Sequence, residues 1–352
     1  MVTHSSGQKT SCPFQTSTFA HTRRGRYMSK FQLKSGCQCA MGAVLAQSHL
    51  GILMLAIFAG SPLVISGQGN TKNEIALISD TQAPMAVEKI FLKSNQNERA
   101  TALVFHDILK ERPRALFILG DVVSLGYKGK KWTKMDRYLD SCRATGIQVS
   151  ALLGNHDVMS KAKKGEHQFD IRFPNHVRTG FYQIIDSVAI VFLNSNFSKL
   201  SPADVEKQQA WLRTTLQMLD KDKTCLFTIV TCHHAPYSNS KIVGSSKKVQ
   251  QNFVPDFIQS KKARLFITGH SHNYEHFVSE GKDFLVIGGG GGLGQPLSTS
   301  KERLDDISGN YKPSFHYVLV TRDKRTMTIA SRFLKNDFLG FEKGISFVLT
   351  IP

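Results

Sequence analysis

Five short segments of this chain each place a possible metal ligand at the end of an apolar run. In chain order they are Asp80, Gly120-Asp121, Gly154-Asn155-His156-Asp157, Cys232-His233-His234-Ala235-Pro236 and Gly269-His270-Ser271-His272. Such runs predict buried parallel strands, and α/β sheets present ligand-binding groups at the carboxyl ends of their strands. Carboxylate and amide oxygens combined with imidazole nitrogens suit Zn, Fe or Mn better than Mg or Ca. The set predicts a two-metal hydrolase.

Each segment also has a simpler explanation when it is taken alone. An Asp at a strand end can cap the next helix, Gly154-Asn155 can form a tight turn, and a single His can lie in the core. Five such segments in succession favour the metal site. Two cations about 3.5–4 Å apart need an anion between them, and the two oxygens of the Asp121 carboxylate suit that position.

The segments must be positioned by strands and helices, which the sequence pattern predicts from about residue 73 onward. Strands are expected at residues 74–79, 115–119, 147–153, 225–231, 264–268, 284–287, 316–321, 326–333 and 345–351, with two more within 182–194 that meet at Asp186-Ser187. Helices are expected at residues 85–112, 132–145 and 202–219, the last beginning with Ser201-Pro202. Strand-helix alternation favours parallel βαβ units. We therefore predict an α/β fold, a four-layer α-β-β-α sandwich of two stacked mixed sheets flanked by helices, over residues 67–352.

The first 66 residues differ in composition from the rest of the chain. They hold six of the basic residues and no Asp or Glu, which leaves +12 of the formal +18 charge on the remainder. The apolar run at residues 51–65 is short for a membrane span, and small residues suited to signal-peptidase cleavage follow it. We predict a basic leader over residues 1–66 and an exported protein, periplasmic or secreted. The alternative is an uncleaved membrane anchor at residues 51–65.

The charge, the cysteines and a glycine run give weaker information about ligands and partners. A basic surface attracts anions, but no stripe of interleaved aromatic and basic residues indicates a specific nucleic-acid partner. Cys142, Cys225 and Cys232 form no CxxC pair, which argues against a zinc-thiolate site, and they allow at most one internal disulfide. The Gly288–Gly292 run lacks the Lys-Ser/Thr end of a phosphate loop and predicts a flexible loop beside the cleft.

The five segments resemble those of the calcineurin-like metallophosphoesterase superfamily. Its pattern is D-x-H, GD, GNH[DE], an H followed by x-P, and GHxH, and the resemblance spans roughly residues 74–295. The stretch from Gly269 to Glu275 is similar to the GHxHxYE of the purple-acid-phosphatase-like branch, and His234-Ala235-Pro236-Tyr237 is similar to its HxP segment. The resemblance implies a metal-dependent phosphate ester hydrolase, phosphomonoesterase or acid-phosphatase-like.

The resemblance also implies a role for each site residue. One metal would be held by Asp80, Asp121 and His272, and the other by Asp121, Asn155, His234 and His270. His156 would contact the substrate as general acid or charge stabiliser without binding metal, and Asp157 would orient its imidazole. A hydroxide that bridges two divalent ions (Fe, Mn or Zn) would attack the phosphate ester.

Three positions depart from the family pattern. Gln82 stands where the family has the His of its first motif, and its amide oxygen is a weaker metal donor. Ser124 stands where the iron-containing purple enzymes carry Tyr, so a ferric-tyrosinate centre is not supported. His233 adjoins His234, and only the H-x-P spacing favours His234. Two alternatives stay open: a phosphodiesterase acting on nucleotides or phospholipid headgroups, and a catalytically silent metal-binding module.

Overall fold

Twelve β-strands form the body of the protein in the computed structural model, which describes residues 72–351. In chain order they are β1 (Lys72–Ile78), β2 (Pro113–Ile118), β3 (Gln148–Ala151), β4 (Phe181–Ile185), β5 (Val188–Phe192), β6 (Phe227–Cys232), β7 (Ala263–Thr268), β8 (Tyr274–Ser279), β9 (Lys282–Ile287), β10 (His316–Asp323), β11 (Thr326–Leu334) and β12 (Phe341–Thr350). The predicted leader, with its apolar run at residues 51–65, lies outside the described residues. Strand β8 was not predicted, and the other eleven strands overlap predicted ones.

The strands pair into two six-stranded mixed sheets, as predicted. The first sheet has the order β12-β11-β10-β1-β2-β3, and β1, β2 and β3 run parallel. The second has the order β4-β5-β6-β7-β9-β8, in which β5, β6, β7 and β9 run parallel. Parallel neighbours place their carboxyl ends at the same edge of a sheet. Each sheet therefore brings several predicted ligand segments to one edge.

Seven α-helices accompany the sheets within residues 72–351. They are α1 (Glu88–Phe91), α2 (Asn97–Glu111), α3 (Gly129–Ala144), α4 (Ala162–Arg172), α5 (Pro202–Lys221), α6 (Lys247–Asn252) and α7 (Val254–Gln259). Helix α5 begins at Ser201 with a capping box, in which Ser201 Oγ and the Asp204 side chain each accept from the other residue's backbone nitrogen. Among residues 72–351, no helix is long and apolar enough to cross a membrane.

The single helix predicted over residues 85–112 is wrong. The chain forms α1 and α2 instead, because Gln96 adopts a left-handed conformation (φ 50°) directly before α2. Helix α4 was not predicted, since its exposed residues outnumber its buried ones and only Gly165 and Phe169 are buried. The break before α2 places α1 beside the carboxyl ends of the strands.

Apolar side chains fill three layers and confirm the four-layer sandwich. The layer between the sheets takes alternate residues from both, such as Phe117 and Phe192, whose rings meet edge to face with centroids 5.1 Å apart. A second layer packs the other face of the first sheet against α2, α3 and α4. A third packs the second sheet against α5, α6 and α7. Cys142, Cys225 and Cys232 are buried free thiols within these layers.

One close approach of backbone to side chain depends on glycine. At Gly154 an added Cβ would lie far inside van der Waals contact with the Asp121 backbone nitrogen and with Asp121 Oδ1. The nearest neighbour is backbone at the end of a central strand, so it cannot move aside without shifting that strand. Gly154 therefore lets the loop after β3 touch the loop after β2.

We expect Gly154→Ala to lower the free energy of unfolding by about 1–3 kcal/mol or more, because the methyl group overpacks a rigid site. Urea denaturation followed by circular dichroism measures this change. Gly294→Ala is the matched control, since an added Cβ there meets no atom within 4 Å, and its stability should stay within about 0.5 kcal/mol of the parent. Equal stability of all three proteins would contradict the assigned contact.

Candidate metal centre

The ends of five parallel strands supply one cluster of polar side chains. Asp80 follows β1, Asp121 follows β2, Asn155 follows β3, His233 directly follows β6, and His270 follows β7. Three of these residues have positive φ angles, 61° at Asp80, 50° at Asp121 and 67° at His270. Such backbone strain outside glycine is concentrated at functional sites, where the surrounding structure over-determines it. It turns each side chain from the strand direction towards the cluster.

The first group of donors surrounds one oxygen of Asp121. His233 Nε2 lies 3.3 Å from Asp121 Oδ2 and 3.1 Å from Asn155 Oδ1. Donor atoms of Asp121, His233 and His270 all lie within 4.8 Å of one another. Carboxylate, amide oxygen and two imidazoles form a mixed oxygen and nitrogen donor set that fits Zn, Fe or Mn.

A second group of donors includes Asp80 and His272. His272 Nε2 is 3.3 Å from Asp80 Oδ1, a fully buried oxygen that makes no hydrogen bond among the described residues. The other oxygen, Oδ2, accepts from the His270 backbone nitrogen at 2.9 Å. A buried carboxylate oxygen without a partner is costly unless a cation compensates it. The residues therefore fit a metal ion here as well.

Gln82 belongs to this second group. Hydrogen bonding orients its amide, whose nitrogen donates to the backbone oxygens of Asp80 at 3.2 Å and Asp121 at 3.0 Å. In that orientation the amide oxygen occupies the position 3.4 Å from His272 Nε2. The replacement of a family His by Gln thus keeps a neutral donor turned towards the cluster.

Backbone carbonyls fix the direction of two imidazoles. His233 Nδ1 lies 2.9 Å from the Leu119 oxygen, and His272 Nδ1 lies 2.6 Å from the Leu293 oxygen. When Nδ1 carries the proton of a neutral ring, Nε2 presents a lone pair. Both lone pairs then face carboxylate or amide oxygens, a repulsive arrangement that only a proton or a cation relieves. The same arrangement of outer hydrogen bonds is typical of metal-binding histidines.

The charges in the cluster depend strongly on one another. Burial would raise the pKa of Asp121, but the neighbouring imidazoles of His233 and His156 lower it far below its usual range. Burial would lower the pKa of His233, and the Asp121 charge instead raises it to about 9. The pKa of His270 is lowered by burial and by the neighbouring imidazoles of His234 and His233. Asp121 is thus the negative centre around which the imidazoles gather.

His233, rather than the predicted His234, lies beside Asp121 and Asn155. The H-x-P spacing predicts His234, but His234 Nδ1 lies 2.8 Å from Ser195 Oγ, and its ring packs on His270 with centroids 4.4 Å apart. Burial and the charge of His233 lower the pKa of His234 to about 3. His234 is therefore a neutral neighbour of the cluster that supports His270.

Strand alternation explains this difference. In β6, Phe227 and Ile229 face the layer between the sheets, whereas Val230 and Cys232 face the helices. His233 continues the first set, so its ring points to the edge where the two sheets meet. The period of two along β6 is a signal that was present in the sequence and that outweighs the spacing to Pro236.

Asp157 lies in the cluster region but does not orient His156, in contrast to the implied role. Its Oδ2 accepts from the backbone nitrogens of Gly154 at 2.9 Å and Val122 at 3.3 Å, and Oδ1 accepts from Val123 at 3.2 Å. Burial, together with the Asp121 charge, raises the pKa of Asp157 against these three donors. The side chain joins the loops after β2 and β3, because the tight turn at Gly154 directs it inward.

His156 faces the open side of the cluster. Its Nδ1 lies 3.2 Å from the Ser124 backbone oxygen, and its Nε2 lies 3.8 Å from Asp121 Oδ2 and 3.7 Å from Glu88 Oε1. Glu88 is a site residue that the sequence did not reveal, because α1 reaches the site only through the break before α2. The ring of His156 can donate a proton towards a bound group between these carboxylates.

The glycine run packs against the loop after β1. Gly290 N donates to the Ser79 oxygen and Gly292 N to the Asp80 oxygen, each at 2.9 Å. These donors are therefore occupied by backbone, and the run supports Asp80. At Gly292 an added Cβ would overlap the His272 ring, so the run also gives that ring its space.

Comparison with known proteins agrees with this fold and site. A family model of calcineurin-like phosphoesterases matches residues 74–274, more than half of the chain. Purple acid phosphatase PPD1 from yellow lupin (Lupinus luteus) seeds has a similar structure, with a TM-score of 0.59 and 15% sequence identity. The match covers 80% of this chain and 54% of the lupin enzyme, so the chain spans about half the length of that protein.

A second similar structure is GAP50, the anchor in the inner membrane complex of Plasmodium. It has a TM-score of 0.55 and 16% sequence identity, over 79% of this chain and 89% of GAP50. Identities this low show a common fold, and no curated protein matches the chain. The family model confirms the resemblance that the five sequence segments indicated: this chain belongs to the calcineurin-like phosphoesterase family, whose chemistry is the metal-dependent hydrolysis of phosphate esters.

Proposed function

We propose that this protein is an exported phosphomonoesterase that works with two divalent metal ions, Fe, Mn or Zn. The observation that carries the proposal is that two groups of donors line one cavity. Asp121 lies next to His233, which also contacts Asn155, and Asp80 lies next to His272. Asp121 and His272 line the same cavity, and a carboxylate shared by two ions is the arrangement that two-metal hydrolysis requires.

Each group has enough donors for one ion. The first group would hold one ion through Asp121, Asn155, His233 and His270. The second group would hold the other through Asp80, Gln82 and His272, with Asp121 shared between the two ions. Ions bound there would polarise the phosphoryl oxygens and provide a strong nucleophile from water at neutral pH. Gln82 would contribute an uncharged amide oxygen, as the family His would contribute an uncharged nitrogen, so the replacement would leave the charge of this donor set unchanged.

The protein side chains supply positioning and proton transfer. His156 lies close to two acidic side chains, with its Nε2 3.7 Å from Glu88 Oε1 and 3.8 Å from Asp121 Oδ2. From there its Nε2 can donate to the oxygen of the leaving alcohol, which otherwise departs as a poor leaving group. Asp157 contributes indirectly, since it fixes the backbone from which His156 projects.

A phosphodiesterase acting on nucleotides or phospholipid headgroups is the nearest alternative, and relative rates on mono- and diesters distinguish the two. A catalytically silent module is a second alternative. GAP50, with a similar fold, is an anchor in the inner membrane complex of Plasmodium, and Gln82 departs from the family pattern here. Bound metal without turnover would favour that alternative.

The proposed export rests on the basic, acid-free leader and the apolar run at residues 51–65. Cleavage near Ser66 would release the phosphoesterase domain, whereas an uncleaved run would anchor it to a membrane. We expect cleavage, and N-terminal sequencing of protein recovered outside the producing cells measures it. Retention of residues 51–65 in a membrane fraction would support the anchor instead.

We expect His233→Ala to lose one of two bound ions and at least about a hundredfold in kcat, because the first donor group loses an imidazole that faces Asp121. The matched variant His234→Ala removes the adjacent imidazole and should keep both ions. Metal content is measured by mass spectrometry of purified protein, and turnover with an aryl phosphate monoester.

Chelation supplies the control for this pair of variants. Removal of the ions should abolish turnover of the parent protein, and Mn, Zn or Fe should restore it. The reverse result, ion loss in His234→Ala alone, would return the ligand position to His234. One ion per parent chain would contradict the two-metal proposal.

We expect His156→Gln to lower kcat by about 10²–10⁴-fold on an alkyl phosphate without loss of metal. The decrease should be much smaller on p-nitrophenyl phosphate, since that leaving group needs little proton transfer. Steady-state kinetics on the two esters give the ratio, and metal analysis confirms that the centre is intact. A decrease of the same size on both esters would show that His156 does not act as the general acid.

A further inference from the structure

The cluster opens into a cavity whose volume is about 350 Å³. Asp121, Asn155, His156, His270 and His272 form its floor. A phosphoryl group occupies only the floor of a space of this size. The remainder is available to the part of the substrate that the phosphate esterifies.

The walls above the floor are apolar and exposed. In the first wall, at or beside α1, Phe91 is 79% exposed and Val87 55% exposed. In the second wall, the loop between β6 and α6, Ile242 is 52% exposed. Leu92 and Val243 complete the two walls. An exposed aromatic ring at the mouth of a cavity favours a site that an apolar group covers.

Hydrogen bonds fix the second wall to the metal-ligand loop. Ser240 Oγ accepts from the backbone nitrogens of Ile242 at 3.2 Å and Val243 at 3.3 Å, and donates to Gln295 Oε1 at 2.6 Å. Gln295 Nε2 in turn donates to the His270 backbone oxygen at 3.3 Å. The apolar wall therefore keeps a defined position relative to the reacting phosphate.

The charge of the cavity disfavours a second anionic group. Among the described residues, none of the side chains that line it is Lys or Arg, and Glu88 is an acidic member of the first wall. Nucleotides with several phosphates and nucleic acids carry additional anionic groups that would meet this wall. The lining thus suits a substrate with one phosphate and an uncharged remainder.

We propose that the site selects phosphate monoesters of apolar alcohols, with the alkyl or aryl group held between Phe91 and Val87 on one wall and Ile242 and Val243 on the other. This inference rests on the proposed function and names its substrate class. Contact with apolar side chains removes the alkyl group from water and is worth up to about fourfold in binding for each fully buried methylene.

The test compares methyl phosphate with octyl phosphate below its micelle concentration, using the metal-loaded full chain and phosphate release as readout. Both leaving groups are primary alcohols of similar intrinsic reactivity. We expect kcat/KM to be at least about tenfold higher for octyl phosphate. Phe91→Ala and Ile242→Ala should each reduce the octyl-to-methyl ratio several-fold. Leu339→Ala, a change of an 82% exposed residue that does not line the cavity, should alter neither rate.

Binding of methylphosphonate and octylphosphonate, which contain no hydrolysable ester bond, repeats the comparison without turnover. If octylphosphonate binds more tightly but no ester is hydrolysed, the proposed function fails and the apolar subsite stands. Equal affinities for the two phosphonates would overturn the subsite. An equal decrease of kcat/KM on both esters in Phe91→Ala would do the same. A third outcome would also overturn the subsite: Phe91→Ala leaves the octyl-to-methyl ratio unchanged but weakens co-sedimentation with phosphatidylcholine vesicles. The exposed apolar wall would then contact a membrane surface and not the substrate.

Discussion

Buried negative charge at the junction of the two sheets is the constraint on which this structure depends. Asp80, Asp121 and Asp157 are all almost completely buried there. An isolated ion in such a place costs several kcal/mol, about the stability margin of a whole domain. Each carboxylate is compensated differently. Asp157 accepts from three backbone N–H groups, and Asp121 lies among imidazoles and accepts from the His156 backbone nitrogen. Asp80 accepts one backbone N–H, from His270, on only one of its two oxygens. The close loop contacts, the glycines and the positive φ angles allow N–H groups and imidazoles to approach these carboxylates.

Strand positions, and the presence of most residues of the candidate cluster at the strand ends, were predictable from the sequence, because both depend on local patterns. The apolar runs end shortly before the polar residues Asp80, Asp121, Asn155 and His270. These residues could therefore be assigned to the edge at which the parallel strands end. The hairpin at Asp186-Ser187 was predictable too, and both residues take the positive φ angles that tight hairpin turns require.

Features that depend on tertiary contact were not predictable in the same way. Glu88 reaches His156 only because the chain breaks before α2, and no periodicity marks that approach. The direction of the Asp157 side chain follows from the turn at Gly154, where the motif alone implied a contact with His156. His233 was accessible from strand alternation, but the sequence spacing to Pro236 received more weight. Orientation is thus harder to predict than location.

The polar floor and the apolar walls of the cavity are supplied by different parts of the chain. The ends of central strands, which are rigid and buried, supply the polar floor, whereas α1 and the loop at Ile242 supply the exposed walls. Loops on a rigid scaffold tolerate replacement more easily than strand ends do. The residues of the walls can therefore be replaced without any change in the residues of the floor. In this way a common fold accommodates different substrates.

The two sheets contribute different donor atoms to the cluster. The first sheet supplies the oxygens of Asp80, Asp121 and Asn155, and the second supplies the nitrogens of His233, His270 and His272. An ion that binds both kinds of donor would join the halves of the sandwich as a cross-link does. Mass action would then make resistance to heat and denaturant rise with the concentration of free metal, so that folding itself responds to metal supply.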